Sequence, residues 1–333
     1  GHATPVKAFL NEELFTSLFI KDSHPKAPEG AGALTFAYNS GSDNAGKVTF
    51  DVPARRYDRS QLSGAVKAEI YLDGTLSQTL TSLTPGSQAA SQVMNLTDGS
   101  HKIRVFLYDS EGRKSVAADA IAWGGRDVPE KVGNIRLEVS PHGESATITW
   151  DAPTAGKNGG NFDARQMTYR IVRRPEMQTI ATGLTTTTFT DTPDRPMRLS
   201  QYDVYADTPS GSSDVSHSKP ALIGAAYPMT YLETFDSAEG FNTYTTIDVN
   251  GVGSAEGDRW MWHPTFGNAI YWINYNARNT ADAWLITPTL ALEPDNVYRL
   301  SFTTVGYASM PATYSLTAAV GELPTAESLG REV

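Results

Sequence analysis

Apolar side chains recur at every second position in short runs along this chain, and turn residues separate the runs. Val48, Phe50 and Val52 alternate with polar neighbours, as do Ile103, Val105 and Leu107, and Ile70 stands in a third such run. A period of two is that of a strand with one face buried, and the β-branched and aromatic content of the runs suits a pleated, half-buried surface. Asp73-Gly74, Asp98-Gly99 and Glu111-Gly112 supply turns, because glycine reaches positive φ without a Cβ clash. Runs with the helical period are nearly missing.

The layout repeats after about one hundred residues. Trp150 in TITWDAP stands one hundred positions after Phe50 in VTFDVPA, and Gly211 stands ninety-nine after Gly112. Ala146, Ile148 and Trp150 share one face before Pro153 ends their strand, and Tyr169 with Ile171 opens the next inward set. Tyr202, Val204 and Ala206 then repeat the spacing of Ile103, Val105 and Leu107. Two copies of about seven short strands predict tandem β-sandwiches. Asp127-Val128-Pro129-Glu130-Lys131 reads as a short, proline-stiffened junction, and a second boundary falls between Lys219-Pro220 and Tyr227-Pro228. The expected organisation is an unassigned extension over 1–27, sandwiches over 28–126 and 127–226, and a third segment over 227–333. The fold class is all-β.

From Met229 onward the composition shifts toward aromatics, with Tyr231, Phe235, Trp260, Tyr271, Trp284 and Tyr298 at or near strands. Four of the six tryptophans, Trp260, Trp262, Trp272 and Trp284, lie here. An indole presents roughly 200 Å² of mostly apolar surface and one N–H that needs a partner, so the cluster predicts either a compact β core or an aromatic ligand platform. Trp260 and Trp262 share one strand face while Tyr271 and Trp272 face opposite ways, which turns at least one ring outward. Filling the interior is the plainer role for most of these rings. An outward ring could stack on the apolar face of a sugar.

An oxygen-rich loop precedes the first of those tryptophans. Asp248, Asn250 and Asp258, with Glu256 and the intervening Gly251 and Gly253, offer hard ligands that suit a structural calcium ion. Val252 stands where a second aspartate would complete a DxNxD spacing, and a solvated turn is the simpler reading. Calcium, if held, would fix loops and do no chemistry.

Composition then narrows the function. The 333 residues carry a formal net charge of -10, which disfavours a nucleic-acid partner. Cysteine is absent, which excludes disulfides and thiolate metal sites. No apolar run approaches the roughly 18 residues that span a bilayer. Gly1-His2-Ala3 carries no basic-then-apolar leader, as expected of an exported protein read from after its signal segment. The six histidines, His2, His24, His101, His142, His217 and His263, form no HExxH or other ligand spacing, and no GxSxG elbow, P-loop or GxGxxG occurs. Gly125-Arg126-Asp127 has its glycine on the wrong side for an RGD motif, and Asn95-Leu96-Thr97 is an acceptor only in a eukaryotic secretory setting. Catalysis is not expected.

Two resemblances follow from these residues. Trp150 with Asp151-Ala152-Pro153, and Tyr202-Asp203-Val204-Tyr205-Ala206 with the Gly211 loop, resemble the second and sixth strands of a fibronectin type III domain over 129–223. The likeness is weaker over 28–126, where Phe50 and Ile103 replace the tryptophan and tyrosine, and a related immunoglobulin-like sandwich is the alternative there. ETFDSAEGF, TIDVNGVGSAEGDRWMW and DAWLITPTLALEPDNVYRLSF resemble, in order, the cleaved-adhesin (choice-of-anchor J) jelly rolls of gingipain and haemagglutinin proteins on Bacteroidetes surfaces. Such modules have about eight or more strands, and six or seven are placed before Val333, so the jelly roll is expected to be incomplete.

The resemblance implies a core role for Trp284 and leaves Trp272 and Tyr275 as better surface candidates beside Trp260 and Trp262. The expected protein is an exported, surface-associated monomer. It binds an extracellular glycan or a host or matrix protein through the jelly roll, with the sandwiches as spacers and structural calcium as the one cofactor considered. The alternative is an ancillary region of a secreted peptidase or glycoside hydrolase.

Overall fold

A computed structural model of the chain describes residues 24–249, 260–264, 270–272, 282–304, 316–329 and 331–332. Eight strands fill the first repeat: β1 (Gly32–Tyr38), β2 (Ala45–Asp51), β3 (Val66–Leu72), β4 (Thr75–Leu83), β5 (Gln88–Ala90), β6 (Met94–Asn95), β7 (Gly99–Tyr108) and β8 (Ala118–Gly124). One sheet runs β1-β2-β5, with β6 also on β2, and the other runs β4-β3-β7-β8, all antiparallel. Alternation decides which side chains close the sandwich. In β7, His101, Ile103, Val105 and Leu107 point inward and Lys102, Arg104, Phe106 and Tyr108 outward. Val48, Phe50, Ile70, Ile103, Val105 and Leu107 are fully enclosed in one apolar cluster.

The second repeat reproduces this order. Here β9 (Gly133–Val139), β10 (Ala146–Asp151) and β13 (Thr188–Asp191) form a sheet in the order β13-β10-β9. Facing strands run β12-β11-β14-β15, from β11 (Thr168–Arg174), β12 (Gln178–Leu184), β14 (Arg198–Thr208) and β15 (Gly211–Ser212), with β16 (Ser216–His217) and β17 (Ala221–Ile223) also on β14. Two facing antiparallel sheets of this kind are the arrangement expected of fibronectin type III-like sandwiches. Trp150 and Tyr169 meet edge to face at 5.1 Å between ring centroids, beside buried Ile148, Ile171 and Val204.

The last strand of each sandwich is irregular, and buried serines repair it. Ser218 donates its N–H to the Tyr202 carbonyl (2.8 Å), accepts the Tyr202 N–H on Oγ (2.9 Å) and donates its hydroxyl to the Lys219 carbonyl (2.8 Å). Ser213 makes the same three bonds with Ala206 and Asp214, and Ser115 with Leu107 and Val116. Ser91 does so with Val48 and Gln92, in the gap between β5 and β6. Where the strand bulges away, the hydroxyl supplies the acceptor that a straight ladder would have provided.

Each sandwich also encloses ionic side chains. Asp109, with its carboxylate fully enclosed, accepts from Arg56 Nη1 (2.5 Å), Arg113 Nε (2.8 Å) and the Glu111 and Arg113 amides. Burial alone would raise its pKa. The donors outweigh that and hold it at about 2. In the second sandwich Asp191 accepts both from Arg173 Nη1 (2.8 Å) and from the Tyr202 hydroxyl (2.8 Å).

By contact density the chain forms two compact bodies. The first takes the chain up to Lys131 together with Pro153–Met167 and Ala206–Asp214; the second takes Val132–Ala152, Thr168–Tyr205 and the chain from Val215 on. Within the first body, Asp127 (1% exposed) clasps the loop that follows Pro153. Its carboxylate accepts from the Asn158 amide (2.7 Å), Asn158 Nδ2 (2.9 Å) and the Gly160 amide (3.1 Å), and its own N–H donates to the Asn161 carbonyl (2.8 Å). Any Cβ at Gly160 would stand 2.6 Å from the Trp123 ring.

Ser218→Ala leaves the buried Tyr202 amide without its acceptor, and the expected loss is about 1–3 kcal/mol in urea unfolding. The unfolded chain binds the Asp109 proton near pH 3.9 and the folded chain only near 2, so this carboxylate stabilises the fold fully above pH ~4 and progressively less as pH falls from there toward ~2. Arg56→Ala removes one of the two cations from that carboxylate and leaves Arg113 and two amides on it, so the expected cost is about 1–3 kcal/mol at neutral pH and less in acid, measured by denaturation across pH.

Candidate functional site

The third segment joins the second compact body without a flexible tract. Tyr227 donates its N–H to the Thr289 carbonyl, Ala291 donates to the Tyr227 carbonyl, the Tyr227 hydroxyl reaches the Met197 carbonyl (2.8 Å), and Thr289 Oγ1 donates to the His142 carbonyl (3.2 Å). A short helix, α1 (Ala238–Phe241), is capped by Ser237, whose hydroxyl accepts the Gly240 N–H. Two antiparallel strand pairs follow: β18 (Thr245–Asp248) with β21 (Ala283–Ile286), and β19 (Trp260–Trp262) with β20 (Ile270–Trp272).

The expected site residues divide accordingly. Trp260 and Trp262 share one face of β19, and Trp272 lies opposite Trp260 in the ladder. Both β19 indoles are half-buried. Trp260 Nε1 donates to the Ala283 carbonyl (3.1 Å) and Trp262 Nε1 to the Phe235 carbonyl (2.8 Å), so each N–H, the indole's one donor, is spent on the protein's own backbone. Those rings tie β19 to β21 and to the segment before α1. Trp284, paired with Ile247, turns its N–H to Asp282 (2.9 Å). Tyr275 lies outside the described residues. Of the residues expected to offer calcium ligands, Asp248 ends β18, where it pairs with Ala283, while Asn250 and Asp258 lie outside the described residues, as do Gly251, Gly253 and Glu256.

Two further aromatic pairs are in contact. Phe235 lies 5.1 Å from Tyr244, and Tyr227 lies 5.0 Å from Tyr231. Burial raises the Tyr231 and Tyr244 pKa values. A second group of side chains is solvent-facing and apolar: Val297, Leu300 and Phe302, at 100, 64 and 59% exposure, with Leu232 at 82%.

The outward positions of β7 build one further surface. On the outer face of the first sandwich, Lys114 Nζ sits 3.6 Å above the Phe106 ring and Lys67 Nζ 4.0 Å above Tyr108, while Tyr71 meets Phe106 edge-on. Glu69 takes Lys67, Tyr71 and Tyr108; Asp119 takes Arg104 and Lys102. Arg170 over Tyr205 (4.1 Å) repeats the motif ninety-nine residues after Phe106. These cations and rings largely satisfy one another. Among the described residues no three His, Asp or Glu side chains gather in a metal-binding group, and no helix is long and apolar enough to cross a membrane.

No protein-family model and no curated protein matches this chain. Solved structures similar to it include the FN1–FN3 domains of chicken CNTN1, at 12% identity and a TM-score of 0.26, covering 60% of this chain and 68% of that one. A two-domain fibronectin type III segment of chicken tenascin is similar at 11% identity and a TM-score of 0.25, covering 58% of this chain and 98% of that one.

Trp262→Phe removes the N–H bond to Phe235 together with part of the half-buried ring. The expected result is a stability loss of about 1 kcal/mol in thermal or chemical unfolding, the mark of a structural indole.

Proposed function

We propose that this chain is a non-catalytic binding protein of a bacterial cell surface. Its two fibronectin type III-like sandwiches act as spacers, and the segment from Met229 is a cleaved-adhesin-like jelly roll that holds an extracellular partner. Support for the jelly-roll assignment comes from the three ordered sequence stretches around ETFDSAEGF, WMW and DAWLITP.

The observation that carries the binding role is the exposure of Val297, Leu300 and Phe302 within six residues of one another. Single exposed apolar residues are ordinary on protein surfaces, whereas several together mark places where another surface is covered. Two of the three are aliphatic. Aliphatic groups pack against protein side chains and lack the flat ring that stacks on a sugar, so a host or matrix protein is favoured over a glycan. Trp272 and Tyr275 remain the candidates for a glycan contact, since the Trp260 and Trp262 donors are taken.

Replacing Leu300 and Phe302 by serine is expected to weaken retention on a matrix-protein array by at least about tenfold, roughly 1.4 kcal/mol. Ile121→Ser, which removes a comparably exposed residue from the first sandwich, should leave it unchanged. Undiminished retention after deletion of 229–333 would overturn the reading.

A further inference from the structure

Asn158–Gly159 combines a reactive dipeptide with a buried partner. Both residues are solvent-exposed, Gly159 has φ +81° with open space where a Cβ would be, and nothing on the following residue shields the Asn158 side chain. An Asn-Gly sequence is the pair most open to attack of the following backbone nitrogen on the side-chain amide. In this fold that attack is opposed at both atoms. The Gly159 N–H donates to the Gly156 carbonyl (3.0 Å), and Asn158 Nδ2 donates to Asp127 Oδ1 (2.9 Å), while the Asn158 N–H reaches Asp127 Oδ2 (2.7 Å).

We propose that Asn158 is a covalent modification site at which spontaneous deamidation opens the Asp127 clasp. The Gly159 nitrogen loses its proton to solvent and forms a bond to Asn158 Cγ; the Cγ–Nδ2 bond breaks and the amide nitrogen leaves as ammonia. Water then opens the cyclic imide at either carbonyl, giving aspartate or isoaspartate. No oxidant, reductant or other reagent is needed. The product turns a hydrogen-bond donor into an anionic acceptor facing the buried Asp127 carboxylate, so an attractive contact becomes a like-charge repulsion. Because Asp127 also holds the Gly160 amide, and its own N–H holds Asn161, whose side chain reaches the Ser42 carbonyl (2.9 Å), the whole turn from Asn158 to Asn161 is released together. Hydrogen bonding in the folded chain thus slows the reaction, and the reaction in turn removes the hydrogen bonding.

The test uses the full chain aged at mildly basic pH, folded and in urea, with peptide mapping that separates this pair from Asn250–Gly251, the chain's other Asn-Gly. Deamidation at Asn158 is expected to be at least about tenfold slower in the folded chain, in line with loss of a hydrogen bond to a charged group. Deamidated molecules, isolated by charge, should show faster hydrogen exchange at the Asn158, Gly160 and Val128 amides, with exchange in β3 and β7 unchanged. Asn158→Asp should reproduce this exchange pattern. Equal rates in folded and unfolded chain, or modified molecules whose loop exchange matches that of fresh protein, would overturn the proposal.

Discussion

Apolar burial between facing sheets is the constraint on which the rest of the structure depends. With no cysteine in the chain, nothing covalent joins one sheet of a sandwich to the other. The inward faces of β2 and β7 therefore close the first sandwich through Val48, Phe50, Ile103, Val105 and Leu107, and β10 and β14 close the second through Ile148, Trp150, Tyr202 and Val204. Each enclosed side chain of this size contributes about 1.5–3 kcal/mol against the entropy of ordering the chain. Loops, caps and surface pairs are details hung on that contact.

Enclosing a polar atom in such an interior forces a partner on it, and the two sandwiches differ where their core residues differ. Tyr202 brings a hydroxyl inside, and Asp191 with Arg173 accompanies it. Ile103, at the corresponding place, brings none. The first sandwich keeps its ionic cluster elsewhere, where Asp109 gathers Arg56, Arg113 and two amides. The four bulge serines answer the same demand on the backbone, each meeting an amide that irregular strand pairing would leave bare.

Surface chemistry is distributed unevenly over the chain. Cations and rings on the outer faces of the sandwiches lie over one another or pair with Glu69 and Asp119, which leaves little unspent for a ligand. The third segment is the reverse: its Trp260 and Trp262 donors are consumed internally, and its aliphatic side chains at Val297 and Leu300 face solvent. The partner-binding reading rests on that contrast.

Strand alternation and the hundred-residue repeat were enough to read two all-β sandwiches, and with them the inward positions of β2, β7, β10 and β14, because side chains on a strand alternate whatever its neighbours are. The same periodicity put Trp260 and Trp262 on one face. What each indole N–H would bond was beyond its reach, since Ala283 and Phe235 are 23 and 27 residues away and only folding brings their carbonyls near. Ser91, Ser115, Ser213 and Ser218 look in the sequence like ordinary loop serines; their role depends on where a partner strand diverges. Asp127 likewise reads as part of a polar junction, and only packing around Trp123 and Gly160 makes it the enclosed acceptor of a loop thirty residues on. Local periodicity fixes direction, whereas hydrogen-bond partners distant along the chain are chosen by the tertiary structure.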